Sequence, residues 1–198
     1  SIALKKFGIS AETPSPQGGI IEKDTDTGQP TGVLHDQAMM EVFNNLFFAD
    51  LESMGTRERV QLCSRATHNF AGLGLVSASD ALVVPQTLNM YQETLAAGRL
   101  NIRIYTMNYN LTAEALTGSR IKTGFGSGKL RIGPIKIFAD GGMSNRTAAV
   151  SKPFLTPPYD KGLKIQSREE LIEKVKWYHA LGYQIAIHAQ GDEGISDT

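Results

Sequence analysis

Ile132-Gly133-Pro134-Ile135-Lys136-Ile137-Phe138-Ala139-Asp140 reads as a strand that closes on a polar residue. Its β-branched and aromatic side chains favour extended backbone. The two-residue period of a strand puts Ile135 and Ile137 on one face and Lys136, Phe138 and Asp140 on the other. Tyr183-Gln184-Ile185-Ala186-Ile187-His188 repeats the arrangement, with Ile185 and Ile187 toward one layer and Ala186 and His188 toward the other. In both, a polar group stands near the C-terminal end of an apolar strand, where parallel sheets and barrels place their active sites.

Working outward, helices and strands alternate from Thr56 onward. A helix capped by Thr56 is predicted to about Asn69, with Val60, Cys63, Ala66, Thr67 and Phe70 at the spacing of one buried face. A strand over Leu73–Ser79 follows. Pro85 opens a second helix to about Ala97, ended by Gly98, and the next strand is Asn101–Met107. The stretch around Ala113–Leu116 is left unassigned. Ser167-Arg168-Glu169-Glu170 is a capping box that starts a helix to about Leu181, stopped by Gly182. This alternation predicts βα units and a parallel sheet.

Residues 1–55 read differently. Turn clusters at Thr13–Gly19 and Thr27–Gly32 flank the apolar pair Ile20-Ile21, which gives a loop-and-hairpin segment with a helical stretch near Asp36–Phe48. The expected organisation is therefore a loop-rich insertion over 1–55 and an α/β sheet domain over 56–198. A complete eight-stranded barrel takes roughly 250 residues, so the 198 present hold a portion of one or a smaller open sheet.

Composition excludes several function classes. Twenty Lys and Arg balance twenty Asp and Glu, and the isoelectric point is near 6.9, so no basic footprint for nucleic acid or an anionic membrane is present. No apolar run is long enough to span a bilayer. The single cysteine, Cys63, cannot form an intrachain disulfide, and Ser1–Ser10 lacks the apolar core of a signal peptide. A cytoplasmic location is the expectation. Gly124-Phe125-Gly126-Ser127-Gly128-Lys129-Leu130 resembles a phosphate loop, but Thr123 and Leu130 occupy positions where that motif needs Gly and Ser or Thr. It is read as a turn.

The ordered pieces Ile135–Gly142, Arg146–Ala149 and His188-Ala189-Gln190-Gly191-Asp192, with Ser1–Leu4, Pro16–Asp24 and Gly28–Leu34, resemble the amidohydrolase superfamily. The specific branch they resemble is amidohydrolase family 3, which includes N-substituted formamide deformylases. The resemblance runs from end to end. It implies a metal-dependent hydrolase built on a TIM-type (βα)8 barrel, of which this chain would span about strands 2 to 5. The implied reaction is hydrolysis of an amide-type C–N bond in a small molecule by a metal-bound hydroxide.

In that family the metal ligands are an HxH pair on strand 1, a carboxylated lysine on strand 4, histidines on strands 5 and 6, and an aspartate on strand 8. The resemblance carries the lysine to Lys136 and the strand-5 histidine to His188. The cofactor implied is a divalent metal, zinc by ligand type and binuclear if the lysine bridges two ions. The residue chemistry agrees: a lysine among Ile135, Ile137 and Phe138 loses its proton more readily through desolvation, and its neutral amine can add carbon dioxide. Asp140 and Asp192 are candidate catalytic groups, and Arg146 is a candidate substrate-binding group. The sequence also departs from the pattern. It has no HxH pair and no histidine after His188, Asp36 stands where the family often has glutamate, and Gln190 replaces a commonly apolar residue. A non-catalytic interaction or regulatory domain on the same scaffold is the alternative. If the 198 residues exist alone, open sheet edges and an apolar inner face predict a homo-oligomer.

Overall fold

The computed structural model describes residues 2–43, 48–156 and 160–198. The chain divides into two compact units. One comprises Ser1–Phe47, Phe138–Ile172 and His188–Thr198; the other comprises Phe48–Ile137 and Glu173–Ile187.

Four strands, β3 (Ser77–Val83), β4 (Arg103–Asn108), β5 (Leu130–Phe138) and β6 (Ile185–His188), form a sheet in the order β3-β4-β5-β6. The β3–β4 and β4–β5 pairs are parallel. Along β5 and β6, the bonds from Ile135 N–H to Gln184 O (2.9 Å) and from Ala139 N–H to His188 O (2.8 Å) advance together, the sense of a parallel pair. Between the strands lie α5 (Pro85–Ala96), α6 (Leu111–Gly118) and α7 (Arg168–Ala180), with α3 (Ala49–Ser53) and α4 (Thr56–Gly72) before the first.

Local chemistry explains the helices and where they depart from expectation. The N-cap of α4 is Gly55 rather than Thr56, and Glu58 reaches back to accept the Gly55 N–H at 2.9 Å. The Thr56 hydroxyl is used elsewhere, donating to Glu93 at 2.9 Å. Val60, Cys63 and Thr67 are buried as predicted, whereas Ala66 and Phe70 on the same stripe are exposed. The helix continues to Gly72, and the Leu73 N–H still bonds Asn69 O and Phe70 O. This corrects the strand expected over Leu73–Ser79: β3 begins only at Ser77, after Gly74 has turned the chain at φ +83°. Pro85 opens α5 as expected, the strand read from Asn101 starts at Arg103, and the unassigned stretch becomes α6. The capping box forms at α7, with the Ser167 N–H donating to Glu170 Oε2 at 2.7 Å and the Glu170 N–H to Ser167 Oγ at 3.2 Å.

The core of this unit joins Cys63 from α4 with Leu100, Ile102, Ile104 and Leu130, against Ala78 of β3 and Met90, Tyr91 and Leu95 of α5. One face of the sheet is thus packed on helices. The other carries Ser77, Ser79, Arg103, Tyr105 and Arg131, placed in register across the three strands. These residues and Lys129 line an open cavity of about 360 Å³. The inner face was expected to be apolar, and here it is polar and basic. Lys129, the lysine of the phosphate-loop-like stretch, donates to Leu100 O at 3.1 Å, and Gly126 bridges back to Arg131. The stretch is a turn.

The register between β4 and β5 slips by one residue: Thr106 pairs with Ile132, but Asn108 pairs with Ile135. The extra residue is a bulge at Gly133-Pro134. A Cβ on Gly133 would lie 2.2 Å from Thr106 O, so this position admits only glycine, and proline is tolerated because a bulge removes its ladder bond.

The other unit contains α1 (Ile2–Lys6), an antiparallel hairpin of β1 (Gly19–Lys23) and β2 (Pro30–Asp36), α2 (Gln37–Phe43) and α8 (Asp192–Ser196). Its hairpin turn is an Asx type, with Asp24 Oδ1 accepting the Thr27 N–H at 2.8 Å and Gly28 at φ +68°. The helix predicted near Asp36–Phe48 is realised as α2; its residues 44–47, and Ser1, lie outside the described residues.

Candidate functional site

The segments that follow β5 and β6, residues 139–151 and 189–194, lie in one unit and are bound together through carboxylates. Asp140, expected on the open face of a strand, instead lies beyond the end of β5 and is fully buried. Its Oδ1 accepts the Gln190 N–H at 2.9 Å; its Oδ2 accepts the Gly191 N–H at 2.7 Å and the Ala149 N–H at 2.9 Å. Asp192 acts on the same loop, its two oxygens accepting the Ser151 N–H (2.9 Å) and the Ser151 hydroxyl. These bonds hold its carboxyl below the ordinary aspartate value. Both acids therefore accept bonds that tie the loops together.

Glycines let the segments approach. A Cβ on Gly191 would meet Ala149 O at 1.8 Å, one on Gly194 would meet Asp140 Oδ2 at 2.5 Å, and one on Gly141 would meet Thr147 Oγ1 at 2.2 Å. Thr147 closes the turn after Gly141, its hydroxyl accepting the Gly142 N–H at 3.0 Å.

His188 ends β6, half-buried, with its ring 5.1 Å from that of Phe138. Its Nε2 lies 3.1 Å from Gly141 O. A carbonyl oxygen only accepts, so a hydrogen bond here takes the proton on Nε2, the tautomer in which Nδ1 is the acceptor nitrogen. The Gln190 side chain accepts the Met143 N–H at 2.8 Å. Arg146, exposed and at φ +59°, donates through Nη1 to Thr156 Oγ1 at 3.2 Å.

In the other unit, Lys136 is half-buried between the buried Ile135 and Ile137. Burial pushes its ammonium below the ordinary lysine value. Among the described residues no group of three or more His, Cys, Asp and Glu could hold a metal ion. An imidazole and a deprotonated or carboxylated lysine are donors of the kind a zinc-type cation takes. They are too few to enclose one.

Three features escaped the sequence: the bulge, the threonine clamp and the backbone-directed use of Asp140. The Gly-Pro pair inside an apolar strand was the available signal for the first.

The chain matches the amidohydrolase family over residues 1–198. It belongs to that family. It is 28% identical over 204 residues to an N-substituted formamide deformylase of Arthrobacter pascens, a match covering 97% of this chain and 36% of that protein. To YtcJ of Bacillus subtilis it is 27% identical over 198 residues, with the same coverage. The solved structure of a metal-dependent hydrolase from Pyrococcus horikoshii superposes with a TM-score of 0.67 at 25% identity, over 93% of this chain and 36% of that one. The chain thus spans about a third of the length of these relatives. No helix among the described residues is long and apolar enough to cross a membrane.

Proposed function

We propose that this chain is the central portion, about strands 2 to 5, of a (βα)8-barrel metal-dependent hydrolase that cleaves amide-type C–N bonds in small molecules. The observation that carries the reading is the family match over the whole chain, joined to a histidine at the end of β6 whose Nε2 faces the Gly141 carbonyl. A divalent cation, zinc by donor type, would supply Lewis-acid activation of water and of the scissile carbonyl.

The chain's own residues then divide the work. His188 would hold the cation, its ring oriented by the contact of Nε2 with Gly141 O. Lys136 would contribute as the carbamate: once deprotonated, its amine adds carbon dioxide, the new N–C bond forms, one proton leaves to solvent, and two carboxylate oxygens become available. Asp140 and Asp192 serve as positioning residues. Both carboxylates accept donors of the loops, Asp140 from Ala149, Gln190 and Gly191 and Asp192 from Ser151. Arg146 offers its remaining guanidinium N–H groups to an acceptor on the substrate.

The test is metal analysis of the dialysed chain together with an assay against N-substituted formamides. Weakly held zinc without turnover is expected of a chain with two ligands. Stoichiometric, tightly held zinc with turnover would show that other residues of this chain complete the site, and would overturn the partial-site reading.

A further inference from the structure

Asn108, at the end of β4, is fully buried, and its side chain makes an unusual set of contacts. Its Nδ2 lies 3.3 Å from Gly133 O, 3.2 Å from Pro134 O and 3.3 Å from Thr106 O. The first two carbonyls belong to the β5 bulge. Its Oδ1 is buried without a donor. Reversing the amide would set that oxygen against the carbonyls, so the orientation follows from the contacts. A leucine would fill the same place with no orphaned oxygen, which marks the amide donors as what the position requires.

The bulge decides where Lys136 goes. Leu130 and Ile132 are buried on the helix-packed side, while Arg131 is exposed on the other. Strict alternation from there would carry Lys136 and Phe138 under the helices and turn Ile135 and Ile137 outward. The observed burial is the reverse: Ile135 and Ile137 are 1% and 4% exposed, and Lys136 and Phe138 are half-buried. One extra residue at Gly133-Pro134 accounts for the change of parity.

We propose that Asn108 is the positioning residue for Lys136: by donating to the carbonyls of Gly133 and Pro134 it fixes the bulge that sets Lys136 on the same open face as Arg131. The functional weight of this inference rests on the reading of Lys136 as a metal ligand; the placement itself does not.

The experiment is metal-free. In the 198-residue chain, acylation of Lys136 is measured by peptide mass spectrometry relative to the exposed Lys174, for the native protein and for Asn108→Leu, with folding checked by cooperative urea unfolding. A change of about tenfold or more in the Lys136 to Lys174 ratio, in a folded variant, supports the proposal; an unchanged ratio overturns it. Because Asn108→Leu can fail to fold, the native protein gives a second measurement: NMR correlations through hydrogen bonds from the Asn108 side-chain amide to the Gly133 and Pro134 carbonyl carbons. Their presence is expected, and a freely exchanging amide without them overturns the proposal. Zinc titration of Lys136→Ala tests the ligand reading separately, so the two can fail independently.

Discussion

Asp140 Oδ2 accepts the Gly191 N–H at 2.7 Å across 51 positions of sequence, and the same oxygen accepts Ala149 N–H from within its own loop. One buried carboxylate thereby joins the segments that follow β5 and β6, including the Gly141 carbonyl that orients His188. Charge-assisted bonds to backbone donors are the strong ones, and a buried donor that loses its acceptor is costly.

Asp140→Asn is therefore expected to destabilise the chain by about 2–4 kcal/mol, because the amide keeps one acceptor oxygen and turns an N–H group toward other donors. Urea unfolding read by circular dichroism checks this. A midpoint equal to that of the native chain would mean that the three bonds do not form in solution.

Gly191→Ala should weaken the same junction. Its Cβ would stand 1.8 Å from Ala149 O, so the backbone has to shift, at a cost of about 1–3 kcal/mol. Since both substitutions open one contact, the double variant with Asp140→Asn is expected to lose less than the sum of the two. Full additivity in the unfolding free energies would separate the two residues.

Arg59 and Glu93 give a pH dependence of known sign. Arg59 donates to Glu93 through Nε at 2.8 Å and Nη2 at 2.6 Å, tying α4 to α5. These bonds hold the Glu93 carboxyl at about 2, below the ordinary 4.5. A carboxyl depressed in the folded state contributes stability above its unfolded value and loses it as pH falls toward its folded one. The pair should stabilise the chain above pH 4.5 and fade between 4.5 and about 2. Comparing unfolding midpoints at pH 6 and pH 3, Glu93→Gln should show a smaller drop than the native chain; equal drops would place the acid sensitivity elsewhere.

Much of this architecture could be read directly from local chemistry. The capping box at Ser167, the opening of α5 at Pro85 and the strand around Ile135 each depend on neighbouring residues, and each formed. The start of β3 was misplaced because Leu73, Leu75 and Val76 look like a strand core, yet all three are exposed and Gly74 at φ +83° belongs to the end of α4. The use of Asp140 is not legible in sequence: acceptance from Ala149, Gln190 and Gly191 is a tertiary relation with no sequence period. The sequence points to His188 and Lys136 as candidate ligands through resemblance and strand parity, whereas the bulge that governs that parity sits in Gly133-Pro134 and depends on pairing with β4.

Zinc titration by calorimetry of the 198-residue chain and its His188→Ala and Lys136→Ala variants asks whether these two residues supply metal ligands. Weak binding by the native chain is expected, reduced about tenfold or more in each variant while the fold is retained. Zinc affinity unchanged by both substitutions would contradict it.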